Sequence, residues 1–446
     1  MESLDRWLDR EYRYAATAML RSVSPVDIVK ARPGFGQTVR PRAGAIVASP
    51  VRAAYDPDPD YFFHWYRDSA VVIDALRLLF EGGSIGPEAL THFTDFVQFN
   101  SALQKLDGRA LAASPSWRTN VAGDFIKYLR DGAELAQVHG DKAAAETRVN
   151  PDGTLDISKW PRPQHDGPPL RALALLRWLR SVSLNPNAGT EVAALIRADL
   201  AFTFHHWREP SFDIWEEEQG LHYYTLRVSA AALDEGASWL RAAGEHREAQ
   251  SYREEGEKIL RALDDFWLAD EGYYRSRILS SGTRSAKELD IAVILATIHA
   301  NERSDGHSVQ DPRMHATLAR LEALFDAAYP INRNRPAGRA PAMGRYPGDV
   351  YYSGGAWYVS TLGAAEFCFR AAVRADDARA WVERGDAFLA TVRAFTPASG
   401  ELSEQFDQRT GAQTSARHLA WSYAAFISCV EVRLCVLADG RRHARR

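Results

Sequence analysis

The residues best placed to do chemistry are Asp213-Ile214-Trp215-Glu216-Glu217-Glu218, three consecutive carboxylates directly behind a tryptophan. Taken alone, the triplet reads as a solvated acidic turn capping the helix that starts near Tyr223, since acidic side chains are favoured at a helix N-terminus. A second acidic island far downstream, Glu401-Leu402-Ser403-Glu404-Gln405-Phe406-Asp407, shifts that reading. Carboxylates supplied in pairs by distant loops are what hydrolysis of a glycosidic bond needs: one protonates the leaving oxygen and the other acts on water or on the sugar carbon.

Three further loops share this chemistry. Residues 59–68, 160–168 and 344–352 each mix planar aromatics or proline with Arg, Asp or Glu, and each precedes a helical pattern. Charged groups are costly in a core unless paired, so their recurrence at intervals suits a shared site better than packing. The 446-residue chain carries 12 Trp, 17 Tyr and 19 Phe, many beside acids, and sugars present apolar faces that such rings can cover. A net charge of −4 gives no footprint for nucleic acid.

What must position these loops is helical. Apolar residues recur at i, i+3, i+4 and i+7 near 3–21, 67–81, 87–105, 119–138, 167–182, 189–206, 222–243, 247–267, 286–299, 312–327, 355–375, 378–395 and 415–436. Residues 22–59 are rich in Gly, Pro and Val and read as an extended arm with short strands, such as Ala45-Ile46-Val47-Ala48. Convincing strands are few, and no Gly/Ser/Pro linker divides the chain. The expectation is a single all-α domain over 1–446: about six helical hairpins closing into a ring, with 1–60 packed on it and 441–446 a basic tail. One mouth of such a ring would collect alternate loops.

Several motifs are set aside. Cys368, Cys429 and Cys435 fit no zinc or redox spacing and read as buried thiols. The acids of Asp56-Pro57-Asp58-Pro59-Asp60 are interrupted by proline and lack the glycine and terminal glutamate of a calcium loop. His205-His206-x-x-Glu209 has the wrong order for a zinc motif. No metal and no cofactor is expected. The charged N-terminus lacks the apolar core of a signal peptide, and no uninterrupted run of 18 apolar residues suggests a membrane span. A cytoplasmic monomer without a membrane partner is therefore expected.

At these loops the chain resembles the glucoamylase family of glycoside hydrolases, family 15. Five blocks agree in order: PDYFFHWYRDSAVV at 59–72, RPQHDGPPLRALAL at 162–175, FDIWEEEQGLHYYT at 212–225, GRYPGDVYYSGGAWYVSTLGAAE at 344–366 and LSEQFDQRTGAQTSARHLAWSYAAF at 402–426. The layout is similar to the compact fungal-type catalytic domain, with no room for an N-terminal β-sandwich or a C-terminal starch-binding module. The resemblance implies an (α/α)6 barrel, which agrees with the hairpins read from periodicity. It implies Glu216 as general acid, protonated at working pH, and Glu404 as general base, ionised. It also implies inversion at the anomeric carbon, with the carboxyls roughly 6.5–9.5 Å apart to admit water.

By the same motif positions, Arg67 and Asp68 would hold the terminal glucose, and Tyr61 and Trp65 would line its subsite. Trp215, Glu217 and Arg345 would contact the first two sugars, with Asp349 supporting their loop. Trp160, Trp357 and Trp421 would be apolar platforms, and Glu218 a solvated cap. The implied activity is exo-hydrolysis of terminal α-1,4- and possibly α-1,6-linked glucose from starch-like glucans, releasing β-D-glucose. A trehalase or dextran-type glucosidase, or an inactive carbohydrate-sensing module, are the alternatives. The chain departs from the family pattern at His165, Gly348, Ala356 and His418; of these, His165 and Gly348 bear on the aglycone subsite and linkage preference.

Overall fold

The computed structural model describes residues 2–54, 58–300, 306–352 and 354–443. Asp56 and Pro57 of the proline-interrupted acidic turn and 444–446 of the basic tail lie outside them.

The long helices are α1 (Leu4–Leu20), α2 (Tyr66–Glu81), α3 (Glu88–Leu103), α4 (Gly167–Ser181), α5 (Pro186–His206), α6 (Tyr223–Ala242), α7 (His246–Leu263), α8 (Ala292–His299), α9 (Pro312–Ala328), α10 (Tyr358–Ala372), α11 (Ala378–Phe395) and α12 (Ala420–His443). The even-numbered helices pack in sequence, and α12 returns to α2, closing an inner ring of six. The odd-numbered helices form the outer layer. α1, expected as an addition to the barrel, packs on α12 and completes the sixth pair. This is the (α/α)6 barrel.

Sequence decides which layer a helix joins. α7 buries only the stripe Ala249, Tyr252, Glu255, Gly256, Ile259 and Leu263 and is charged elsewhere. α10 is buried at every position except Arg370. A stripe suits an outer helix, and burial all round suits an inner one. Outer helices also carry their own start signals. Asn185 and Asp311 accept backbone N–H groups ahead of Pro186 and Pro312, the arrangement favoured at helix N-termini. Where inner helices meet closely, Gly363 of α10 leaves room for Leu295 of α8; a Cβ there would stand 2.5 Å from a leucine methyl.

Two expected helices differ. Residues 119–138 do not form one helix but short pieces, including Gly123–Tyr128 and Gly132–Ala136. Gly123 and Gly132 interrupt the pattern, and its apolar residues instead join a small separate cluster of Phe35, Val121, Leu129 and Ile157. The helix expected from 286 begins at Ala292, whose N–H is taken by the Asp290 side chain. Of the three cysteines, Cys368 and Cys429 are buried but Cys435 is exposed. Among the described residues one stretch, Ala420–Ala438 in α12, is long and apolar enough to cross a membrane, with a mean hydropathy of 1.5. Glu431 and Arg433 break it, which is why no uninterrupted run was visible. Here it is an inner-ring helix, mostly buried.

Short ladders gather the loops at one mouth. Strands precede three alternate inner helices: His64–Trp65 before α2, Gln219–His222 before α6 and Ala356–Trp357 before α10. Each pairs antiparallel with another loop: Arg148–Val149 in the first case, Ser211–Phe212 and Arg277–Leu279 in the second, and Gln405–Phe406 in the third. Strand Lys30–Arg32 pairs with Gln37–Val39 in the arm, while Ile46 only bridges Val23.

Trp178 of α4 is fully buried in the ring, where it stacks on Phe93 at 4.6 Å and Phe80 at 5.9 Å and donates its indole N–H to the Ile73 carbonyl at 2.8 Å. Trp178→Ala is expected to destabilise the fold by about 3–5 kcal/mol, measured by denaturant unfolding. A loss below about 1 kcal/mol would show that the ring does not depend on this stack.

Candidate active site

The central acidic stretch is not a helix cap. It is a tight turn between two strands of one ladder, with α6 starting only after Gln219–His222. Asp213 builds the turn: its carbonyl accepts the Glu216 N–H at 2.9 Å and its carboxylate accepts the Glu217 N–H at 2.7 Å. Glu216 sits at φ 64°, the left-handed region that non-glycine residues seldom occupy. Strain at such a position persists only where the surroundings impose it, and here they do. Buried Arg277 binds Asp213 at 2.6 Å and Glu218 at 2.9 Å and also pairs with Asp290, which takes the Trp215 indole N–H at 3.0 Å.

The three glutamates thereby acquire different surroundings. Glu216 accepts the Trp65 indole N–H at 2.8 Å and Arg67 at 3.0 Å on Oε1, and the Trp160 indole N–H on Oε2. Glu217 is held by Arg345 at 3.2 Å, Lys287 at 2.8 Å and the Tyr346 hydroxyl. Glu218, expected as a solvated cap, is only 26% exposed and bound by Arg277 and Ser285. It acts on the turn, not on solvent.

These side chains line one cavity of about 280 Å³, bounded by Tyr61, Trp65, Arg67, Asp68, Trp160, Trp215, Glu216, Glu217, Arg345, Trp357, Glu404 and Trp421. Every expected site residue is therefore present on its wall except Asp349, which grips Arg345 through two hydrogen bonds of 2.6–2.7 Å. Arg67 and Asp68 come from the first turn of α2, and Trp421 from the first turn of α12. On the other side of Trp421 the inner helices leave a void of only about 50 Å³, lined by Leu170, Leu173, Leu295 and Val359 together with Asp74, Arg177, Glu366 and Arg370, so Trp421 and these side chains floor the cavity.

Sequence reading missed several partners. Asp166 pairs with Arg67 at 3.3 Å, Tyr351 joins Tyr61 through their hydroxyls at 2.8 Å, and Ser415 donates to Glu404. Asp166 and Tyr351 stood in the quoted motifs and were passed over; Lys287 and Arg277 lay in no motif at all. The departures His165, Gly348 and His418 do not line the cavity. His165 is buried edge-on against Phe202, Gly348 turns at φ 75°, and His418 bonds Tyr423 at 2.8 Å.

The electrostatics separate the carboxylates. Burial pushes Glu404 up to about 7, against the Ser415 hydrogen bond and the charge of Arg345. Burial likewise raises Asp68 to about 6, opposed by Arg67. Burial thus holds the proton on Glu404 up to about pH 7, so the expectation that it stays ionised is met only above neutrality. Glu217, expected to add like charge beside Glu216, is itself compensated by Arg345 and Lys287.

Comparison with known proteins agrees with this geometry. The model of glycosyl hydrolases family 15 matches residues 33–83, 145–383 and 375–431. The chain belongs to this family. A probable glucoamylase of Schizosaccharomyces pombe is 29% identical over 96% of this chain and 91% of its own length. A Neurospora crassa glucoamylase is 30% identical over 88% of this chain, which spans 63% of that relative. Among solved structures, the family 15 glucoamylase of Hypocrea jecorina superposes with a TM-score of 0.77 at 26% identity, covering 97% of this chain and 73% of that one. The family 15 chain is a glycoside hydrolase whose substrate is a carbohydrate.

Glu404 gives a testable sign. An unfolded glutamate releases its proton near 4.5, whereas the folded one holds it to about 7. Between those values the folded state binds the extra proton, so this group's stability contribution is present below about pH 4.5 and lost as pH rises through about 7. Relative to Glu404→Gln, the wild type should lose urea resistance from about pH 5 to 8. A constant difference across that range would reject the assignment.

Proposed function

We propose that this enzyme is an inverting, exo-acting α-glucosidase that removes terminal glucose from the non-reducing ends of α-1,4-linked glucans and releases β-D-glucose. The observation that carries the reading is a floored cavity with Glu216 and Glu404 on its wall and the Arg67–Asp68 pair at the base of the ring mouth. At about 280 Å³ it lies just below the range of drug-sized pockets, roughly 300–1,000 Å³, which fits a terminal sugar better than the interior of a long chain.

In this reading Arg67 and Asp68 bind hydroxyls of the terminal ring by charge-assisted contacts, and the floor blocks further chain beyond it. The indoles of Trp65, Trp215, Trp357 and Trp421 cover the sugar faces. Glu216 gives its proton to the glycosidic oxygen as the C1–O bond breaks. Glu404 takes a proton from the water that attacks C1 from the opposite face, which inverts the configuration. Glu217 and Arg345, fixed by Lys287 and Asp349, contact the leaving sugar. The names of the compared proteins, glucoamylases at 29% and 30% identity, support α-1,4-glucan as substrate. His165 and Gly348, lying off the cavity wall, do not argue for another linkage.

Incubation with maltoheptaose, isomaltose and trehalose, followed by proton NMR of the nascent sugar, tests the reading. β-Glucose should appear first, and fastest from maltoheptaose; initial α-glucose overturns inversion, and preference for trehalose overturns the linkage. Glu216→Gln and Glu404→Gln should each lower kcat on maltoheptaose by about 10²–10⁴-fold. Near-normal turnover by either variant removes that residue from its role.

A further inference from the structure

Arg148 stands outside the cavity wall, yet it touches the two rings that hold Glu216. It is buried, and lies directly opposite Trp65 in the His64–Trp65 ladder. Its guanidinium sits 3.6 Å from the centroid of Trp160, 4.0 Å from Phe63 and 4.7 Å from Trp65. Asp156 at 2.9 Å and Ser158 at 3.1 Å fix its plane, while its third nitrogen is buried with no acceptor, among the rings. Asp156 is in turn held by Arg162 at 3.1 Å, which binds Glu146 at 2.7 Å.

We infer that Arg148 is a positioning residue for the proton donor, acting through Trp65 and Trp160. This rests on the reading of Glu216 as general acid. The two indole N–H groups clasp opposite oxygens of Glu216, so the direction in which its proton can be delivered follows from the placement of the two rings. A cation against an indole face is attracted by the ring quadrupole, and a planar guanidinium pinned by Asp156 and Ser158 fixes the rings' tilt in a way a flexible ammonium does not. Misplacement of a reacting group by about 1 Å can cost 10²-fold in rate, and Arg148 is the buried charge on which both ring positions depend.

The test separates proton delivery from general folding. Maltose needs a proton from Glu216 as its C1–O bond breaks. α-D-Glucosyl fluoride does not, since fluoride leaves with the C–F bonding pair while water adds to C1 and gives its proton to Glu404. Arg148→Met keeps the apolar stem and removes the charge. It should lower kcat on maltose at least tenfold more than kcat on glucosyl fluoride, with KM for maltose changed less than threefold. Arg148→Lys, which keeps the charge but loses the fork, should fall between Met and wild type, and it carries the test by itself if the Met variant does not fold. Equal losses on the two substrates in both variants would overturn the inference, leaving Arg148 a structural residue. Glu216→Gln run alongside should show the same substrate bias. If it shows none, or if the wild type cleaves neither substrate, the reading of Glu216 has failed and the inference goes with it.

Discussion

The acidic turn at the mouth of this barrel depends on a buried cation, Arg277, shared among Asp213, Glu218 and Asp290. Burying an ion cluster is not by itself a route to stability, because desolvation consumes much of the attraction. Its value here is conformational. With Arg277 in place, Asp213 is free to take backbone N–H groups, Asp290 fixes the Trp215 indole, and the turn closes far enough to hold Glu216 at a left-handed φ. Burial pushes Asp290 up to about 7 despite Arg277, so even inside the cluster the balance between solvation and pairing is close.

The same economy of charge continues around the cavity. Arg67 answers Asp68, Asp166 and Glu216, and Arg345 answers Asp349 and Glu217. What remains unanswered is informative. The indole nitrogens of Trp357 and Trp421 are buried without a hydrogen-bond partner, and both residues line the cavity. A buried polar group left unpaired costs about 1–3 kcal/mol. Two such donors on residues of one cavity wall suit a ligand that brings hydrogen-bond acceptors better than a purely apolar one.

Much of this was legible in the sequence because the physics is local. An inner helix such as α10 is apolar on all sides and an outer one such as α7 on one stripe, so periodicity finds both. The aromatic and acidic loops were visible because charge beside Trp is expensive unless used. What was hidden depends on contacts between distant loops. Nothing near Arg277 or Lys287 in the chain announces that they meet the acidic triplet, and Glu218 looks identical to Glu216 and Glu217 until the ladder directs it inward. Residues 119–138 failed for the opposite reason: a helical pattern is present, but glycines and an alternative small core outweigh it.

The raised proton affinity of Glu404 bears on mechanism. A general base works best when its pKa lies near the working pH, where it is both ionised often enough and basic enough to pull on a proton. A solvated glutamate would be ionised almost always but would draw weakly on water. Burial moves Glu404 to about 7, and the Ser415 hydrogen bond and the charge of Arg345 limit how far it moves. The two carboxylates therefore stand in different surroundings: Glu216 is clasped by three donors, whereas Glu404 is enclosed and holds its proton more tightly than a solvated glutamate.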